Sequence, residues 1–332
     1  MPATKLCLQE CSFSCSSTLS QSSAAANHSS FNALLQLLHD PEALRAYAMR
    51  WGTRSQAGQG EAIPELLHQS WKSCRLPTVA EAWRDQTAVT LQSSWRMWLW
   101  TDHDNRAFIE REFPAFIPLF DRMDVPIKRI DAVRYLYLFK YGGVYMDLDS
   151  MSLRPFEELP LTRGEAIFGY IHDNLKCPDG ACIPLKSEAV PNAFMAAPPG
   201  HPFFAFLMHR LNHTAHKARV LEATGPIFLS SALRRWASLR FGGVTIHSTP
   251  RLFNTVSNLM ASVFHPCGIG ARNPVNEKRR TDLAKCTQKL PHSVTTTFWA
   301  SSWAKFNGTI KGKNVFSPMD WCGRGGRERC EA

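Results

Sequence analysis

Strands and helices alternate along most of this chain, which predicts an α/β fold with helices on both faces of a sheet. Three stretches carry the prediction. "WRMWLWT", 95–101, reads as an aromatic-rich strand. "PIKRIDAVRYLYLFKYGG", 126–143, opens with a proline and closes on glycines, the asymmetry of a helix. Apolar residues cover most of its circumference, so it is largely buried. "VYMDLDS", 144–150, then reads as a strand, and "AIFGYI", 166–171, as another.

The other elements follow in order. Residues 1–30 are small, polar and serine-rich and read as a disordered tail. "FNALLQLLHDPEALRAYAMRWG", 31–52, has helical apolar spacing broken by Pro41, which suggests two short helices. "TRSQAGQGE", 53–61, reads as a linker, and "IPELLHQSW", 63–71, as an extended run that opens the folded part. "DHDNRAFIEREF", 102–113, begins with capping residues and runs as a helix to Pro114. The expected organisation is a tail with short helices over 1–60, one domain over 61–307 and an irregular tail over 308–332.

The chain has 332 residues and a formal net charge of +10. That charge favours an anionic partner, but the basic residues are scattered, which argues against nucleic acid. No stretch approaches the ~18 apolar residues of a membrane span. No signal peptide is visible either, which leaves secretory, cytoplasmic and plastid locations open. Cys177 and Cys182 bracket a turn, and Cys267 and Cys286 could close another loop; the spacing fixes neither pairing. Cys7, Cys11 and Cys15 recur every fourth residue, as free thiols in a tail or as a metal site.

The chemistry concentrates in Asp147 and Asp149. Alternation along a strand would put Val144, Met146 and Leu148 on one side and Tyr145, Asp147 and Asp149 on the other. The two carboxylates would then lie on one face with Cα atoms roughly 6.6 Å apart. Such a pair repels unless something positive lies between its members. A hard divalent cation, Mn²⁺ or Mg²⁺, satisfies that need and commonly holds phosphate oxygens as well. A bare D-x-D also occurs in solvated loops and helix caps. Here it follows an apolar strand, a Gly-Gly turn and a buried helix with charges of its own. Asp131 and Arg134 are neighbours on that helix. They could form a structural ion pair or meet a sugar's hydroxyls.

"RIDAVRYLYLFKYGGVYMDLDSMSLRP", 129–155, resembles the sugar-nucleotide motif of glycosyltransferase family 32. That family includes initiating α-1,6-mannosyltransferases and inositol phosphorylceramide mannosyltransferases. Five further blocks resemble it in order: "IPELLHQSWKS", "WLWTDHDNRAFIEREFP", "NAFMAAPPGHPFF", "TGPIFLS" and "TTFWASSW". The resemblance implies a GT-A type, Rossmann-like nucleotide-sugar-binding domain with a mixed, mostly parallel sheet flanked by helices. It implies retention of configuration and a mannose donor such as GDP-mannose. The implied acceptor is an inositol-phosphate sphingolipid head group or a glycan, with a Golgi or other secretory location and peripheral membrane contact.

Carried over residue by residue, Asp147 and Asp149 face the metal and diphosphate, and Asp131 and Arg134 hold the donor sugar. Trp71 stacks on the nucleobase, Tyr145 and Asn192 join the donor site, and Ser302 and Trp303 close over the diphosphate. His68 is assigned a structural role, and Gly142 and Gly143 a tight turn. Relatives often carry a His pair where this chain has Thr297 and Phe298; that departure keeps a catalytically weak sugar-nucleotide-binding protein in play. A two-carboxylate glycoside hydrolase is disfavoured, because carboxylates on one strand face cannot flank a glycosidic bond.

Overall fold

The computed structural model describes residues 40–159, 163–168, 190–239 and 294–297. Its centre is a five-stranded sheet in the order β2-β1-β3-β6-β5. The strands are β1 (Leu66–Ser70), β2 (Arg96–Trp100), β3 (Gly143–Met146), β5 (Ile167–Phe168) and β6 (Phe194–Ala197). β1 pairs parallel with both β2 and β3, while β6 runs antiparallel to β3 and β5. Only β6 is reversed, so the sheet is mixed and mostly parallel, as expected of the α/β fold.

Alternation along β3 divides the core. Tyr145 faces a large cluster with Tyr135, Leu138, Phe203, Phe228 and Trp236. Val144 and Met146 face a second cluster with Leu67, Phe156 and Phe194. Helices α5 (Pro126–Tyr141), α6 (Pro202–Thr214) and α8 (Pro226–Ser238) supply the first cluster.

The join between α5 and β3 explains "YGG". Gly142 caps the helix at φ +63°, and Gly143 follows at φ +92°. A Cβ on Gly143 would lie 2.3 Å from the carbonyl oxygen of Leu66, and one on Gly142 2.6 Å from the nitrogen of Pro199. Two glycines therefore let the helix end pass directly into the central strand, between its neighbours. Helix α3 (Asp102–Glu112) begins where expected, but its cap is Thr101, read as the end of the preceding strand, which forms a reciprocal capping box with Asp104.

Two readings change. Pro41 starts a helix, as the second of the two short helices would; the first lies outside the described residues. Helix α1 (Pro41–Gln56) carries it in the first turn, where its missing N–H costs nothing, and the Asp40 side chain caps the end. That helix runs through "TRSQ", which read as linker. Leu44 and Ala48 join the main core, Tyr47 Oη donates to Gly200 O (2.5 Å) and Trp51 Nε1 to Gly164 O (2.8 Å). Helix α1 is therefore packed onto the unit whose start was read at residue 61. Finally, "VYMDLDS" is not one strand. β3 stops at Met146, 147–149 turn, and a short β4 (Ser150–Ser152) pairs antiparallel with β7 (Thr295–Thr297).

Residues 1–39, the cysteines at 177, 182, 267 and 286, and the boundary at 307 lie outside the described residues, as do 169–171 of "AIFGYI". Among the described residues no helix is long and apolar enough to cross a membrane.

Two buried histidines give the fold an acid limit. His68 sits under the Gly142 turn: its Nε2 donates to Gly142 O (2.9 Å) and its Nδ1 accepts from Trp100 Nε1 (3.1 Å), a neutral tautomer. Burial lowers its pKa to about 4, against the opposing pull of the Gly142 carbonyl. His201, which caps α6, is lowered by burial to about 3. Both folded values lie below the unfolded one, so the unfolded chain takes up protons first. Stability is full above pH ~6.5 and falls as pH drops toward 4. At pH 5 each histidine should cost about 2 kcal/mol. Thermal unfolding at pH 7 and pH 5 checks this. His201→Asn keeps a cap acceptor and should flatten part of the slope.

Candidate active site

The functional side chains gather at the carboxyl end of β3, where open α/β sheets bind ligands. Helix α5 contributes Asp131 and Arg134, one turn apart on the face that covers Tyr145. Both are almost fully buried, and they form an ion pair of 3.2 Å. Arg134 Nη1 also donates to Asp147 Oδ1 (3.0 Å) and to the carbonyl of Asn192 (2.8 Å). Its Nε reaches the carbonyl of Ile130 (3.3 Å), and its guanidinium lies 4.4 Å from the centre of the Tyr145 ring. The positive group that the carboxylates call for is thus supplied, for Asp147, by the protein.

Asp147 is held by one oxygen. Tyr145 Oη donates to the same Oδ1 (2.9 Å), and the backbone N–H of Asp147 donates to Ala193 O (2.8 Å). Among the described residues no donor reaches Oδ2, and the side chain is 30% exposed. Asp149 is partly buried and follows in the turn. The two aspartates therefore sit on a chain reversal and not on one face of a strand. Leu148, between them, leaves the Val144–Met146 side and packs with Ala80, Trp83 and Met151.

Asp131 sits deeper. Its Oδ1 accepts from Asn192 Nδ2 (2.9 Å) and its Oδ2 from Thr224 Oγ1 (3.1 Å). Burial raises its pKa, while Arg134 and the two hydrogen bonds pull the other way. Burial likewise raises Tyr135 and Tyr145, so both phenols are neutral donors. Burial works against the charge of Arg134, but the surrounding oxygens outweigh it and hold its pKa above the ordinary value.

Of the residues singled out from sequence, Asp131, Arg134, Tyr145, Asp147 and Asn192 form one hydrogen-bonded network. Tyr145 and Asn192 are buried and bond to charged members of it. Trp71 lies nearby by another route: it packs against the cluster that holds Leu148. Ser302, Trp303 and Phe298 lie outside the described residues, as does the Thr297 side chain. Two members escaped sequence reasoning. Tyr135, one helical turn from Asp131, donates to Thr224 O (2.7 Å), and Thr224 reaches Asp131 from the turn before α8. The i, i+4 spacing could have flagged the first, and the "TGP" block contained the second.

Residues 78–164 match the family described as the glycosyltransferase sugar-binding region containing the DXD motif. The matched stretch spans Asp131, Arg134, Tyr145, Asp147 and Asp149. Among curated relatives, inositol phosphoceramide mannosyltransferase 3 of Schizosaccharomyces pombe is 32% identical over 191 residues, covering 55% of this chain and 48% of the relative. Mannosyl phosphorylinositol ceramide synthase SUR1 of Saccharomyces cerevisiae is 32% identical over 196 residues, covering 56% and 46%. The chain thus spans about half the length of these relatives. Among solved structures, the PaToxG glycosyltransferase aligns with a TM-score of 0.40 at 14% identity, over 65% of this chain and 81% of that one.

The network has a charge balance that suits a cation: two carboxylates share one guanidinium, leaving a net negative charge. No group of three or more His, Cys, Asp or Glu side chains converges among the described residues. A divalent ion here would therefore take Asp147 Oδ2 and Asp149 and complete its shell with diphosphate and water oxygens, as Mg²⁺ commonly does. The residues fit such an ion.

Proposed function

We propose that this chain is a metal-dependent, retaining hexosyltransferase that moves mannose from GDP-mannose to an inositol-phosphate ceramide head group. The observation that carries the reading is the Arg134 junction, which aims one carboxylate oxygen of Asp147 outward beside a buried Asp–Arg pair. The relatives' names supply the donor sugar and the acceptor.

Arg134 has five N–H donors, and four are engaged. Asp131 accepts two hydrogen bonds and one ion-pair contact, with about four lone-pair sites. A donor of Arg134 and an acceptor of Asp131 are thus left to meet a sugar hydroxyl. Asp147 and Asp149 would hold Mn²⁺ or Mg²⁺, which supplies charge neutralisation for the leaving diphosphate. Trp71 offers a face to the nucleobase beside the same turn. Asp131 is buried and hydrogen-bonded through both oxygens, and Asp147 and Asp149 are assigned to the cation, which leaves no carboxylate here for a covalent nucleophile. Retention then proceeds by attack of the acceptor hydroxyl on the face from which the diphosphate departs.

Cys74 is disulfide-bonded, which supports an oxidising, secretory compartment. The net charge of +10 suits peripheral contact with an anionic lipid surface.

The test is turnover of a panel of nucleotide sugars with inositol phosphoceramide in detergent, with Mn²⁺ and with EDTA. GDP-mannose should be consumed with Mn²⁺ and spared in EDTA. Full activity in chelator would contradict the metal role, and no turnover of any donor would favour a sugar-nucleotide-binding protein.

A further inference from the structure

The charged network does not end at Asp131. It continues into a turn that no charge marks. Thr224 lies between the short helix α7 (Val220–Ala223) and α8, and it is fully buried. Its hydroxyl is the one donor to Asp131 Oδ2 among the described residues, while Asn192 and Arg134 both serve Oδ1.

The turn is fixed from three sides. Tyr135 Oη donates to the carbonyl of Thr224 (2.7 Å) and Thr214 Oγ1 to the carbonyl of Ala223 (2.8 Å). At the next residue, a Cβ on Gly225 would lie 3.3 Å from Asp131 Oδ2 and 3.1 Å from Leu221 Cα. A glycine lets the backbone press this close, and the threonine beside it supplies the hydrogen bond. So much fixation around one hydroxyl exceeds what a chain reversal needs.

We propose that Thr224 is a positioning residue that orients the Asp131 carboxylate so that Arg134 stays shared between Asp131 and Asp147. Without the hydroxyl, Oδ2 loses its anchor and the carboxylate can rotate toward the guanidinium. Arg134 then follows Asp131, and the hold on Asp147 Oδ1 loosens. The proposal rests on the function above only for its effect on turnover.

Thr224→Val is nearly isosteric and removes the hydroxyl, Thr224→Ala removes it with less bulk, and Thr224→Ser restores it. The groups facing Asp131 are Arg134 and Tyr135 from its own helix, Asp147 from the end of β3, Asn192 from the approach to β6, and Thr224. Only the last changes. Carboxyl-carbon NMR on aspartate-labelled protein, with Asp131 assigned by Asp131→Asn, should show its titration midpoint rising by about one pH unit in T224V. That is about a tenfold gain in proton affinity. T224S should leave the midpoint in place.

In transfer assays T224V should lower kcat by about tenfold with the donor KM little changed, and T224S should recover most of the rate. A midpoint unmoved in both T224V and T224A, or loss of the fold in both, would overturn the proposal. If the wild type consumes no nucleotide sugar, the functional reading fails, while the titration still decides the role of Thr224.

Discussion

Asp147→Asn should abolish sugar transfer and leave the fold intact. The substitution keeps an oxygen for Arg134 and Tyr145 to donate to, so the junction beneath survives in shape. It removes the charge and replaces the outward Oδ2 with an amide, which is a poor ligand for a hard cation. The loss should reach a hundred- to a thousandfold or more, on the order of removing one preorganised group that stabilises developing charge. Transfer at saturating Mn²⁺ measures the effect, and circular dichroism with a melting curve shows that the protein is folded. The surroundings of Asp147 make Asn the informative choice. Asp147→Ala would also strip Arg134 and Tyr145 of a buried partner, and an unpaired buried group costs stability by itself. Near-normal turnover in Asp147→Asn would mean that the outward carboxylate holds nothing needed for transfer.

The parts of this account that the sequence carried are local. Helix α5 was legible because Pro126, an almost continuous apolar surface and Gly142 mark its start, burial and end. The start of helix α3 was legible from the polar residues of "DHDN", though Thr101, read as strand, proved to be its cap. The Asp131–Arg134 pair followed from helical spacing. The route from Met146 to Ser150 was not legible, because alternation of apolar and polar residues describes a strand and a turn with one buried leucine equally well. Leu148 satisfies the pattern while packing in a third cluster. Arg134 as the partner of Asp147 was hidden too, because it depends on how far α5 leans over β3, and two glycines set that distance. Helix α1 runs further than its apolar spacing showed, because Thr53 and Arg54 in its last turns are exposed and carry no core signal. Tyr135 and Thr224 carry no charge, and only the folded chain brings them to Asp131.

The central claim is that Asp131 and Arg134 receive the sugar of the donor and are more than a clasp for the fold. Burial on this scale makes the rival account serious, since a buried ion pair is weak evidence of function. Asp131→Asn decides between them. It keeps the shape, and its amide N–H can donate to the Thr224 hydroxyl in place of the bond Thr224 donates now, but it removes the charge that a sugar hydroxyl and Arg134 both feel. A hydrogen bond to a charged group is worth roughly 1.5–3 kcal/mol. At about 1.4 kcal/mol per tenfold, its loss from the transition state means a ten- to hundredfold slower turnover. Free GDP has no sugar and should bind the variant in Mn²⁺ as it binds the wild type. Measured on one preparation, turnover of GDP-mannose and calorimetric affinity for GDP separate the two accounts. Slowed turnover with unchanged GDP affinity is the expected result. An equal fall in both, accompanied by a lower melting temperature, would contradict it and leave the pair as structural.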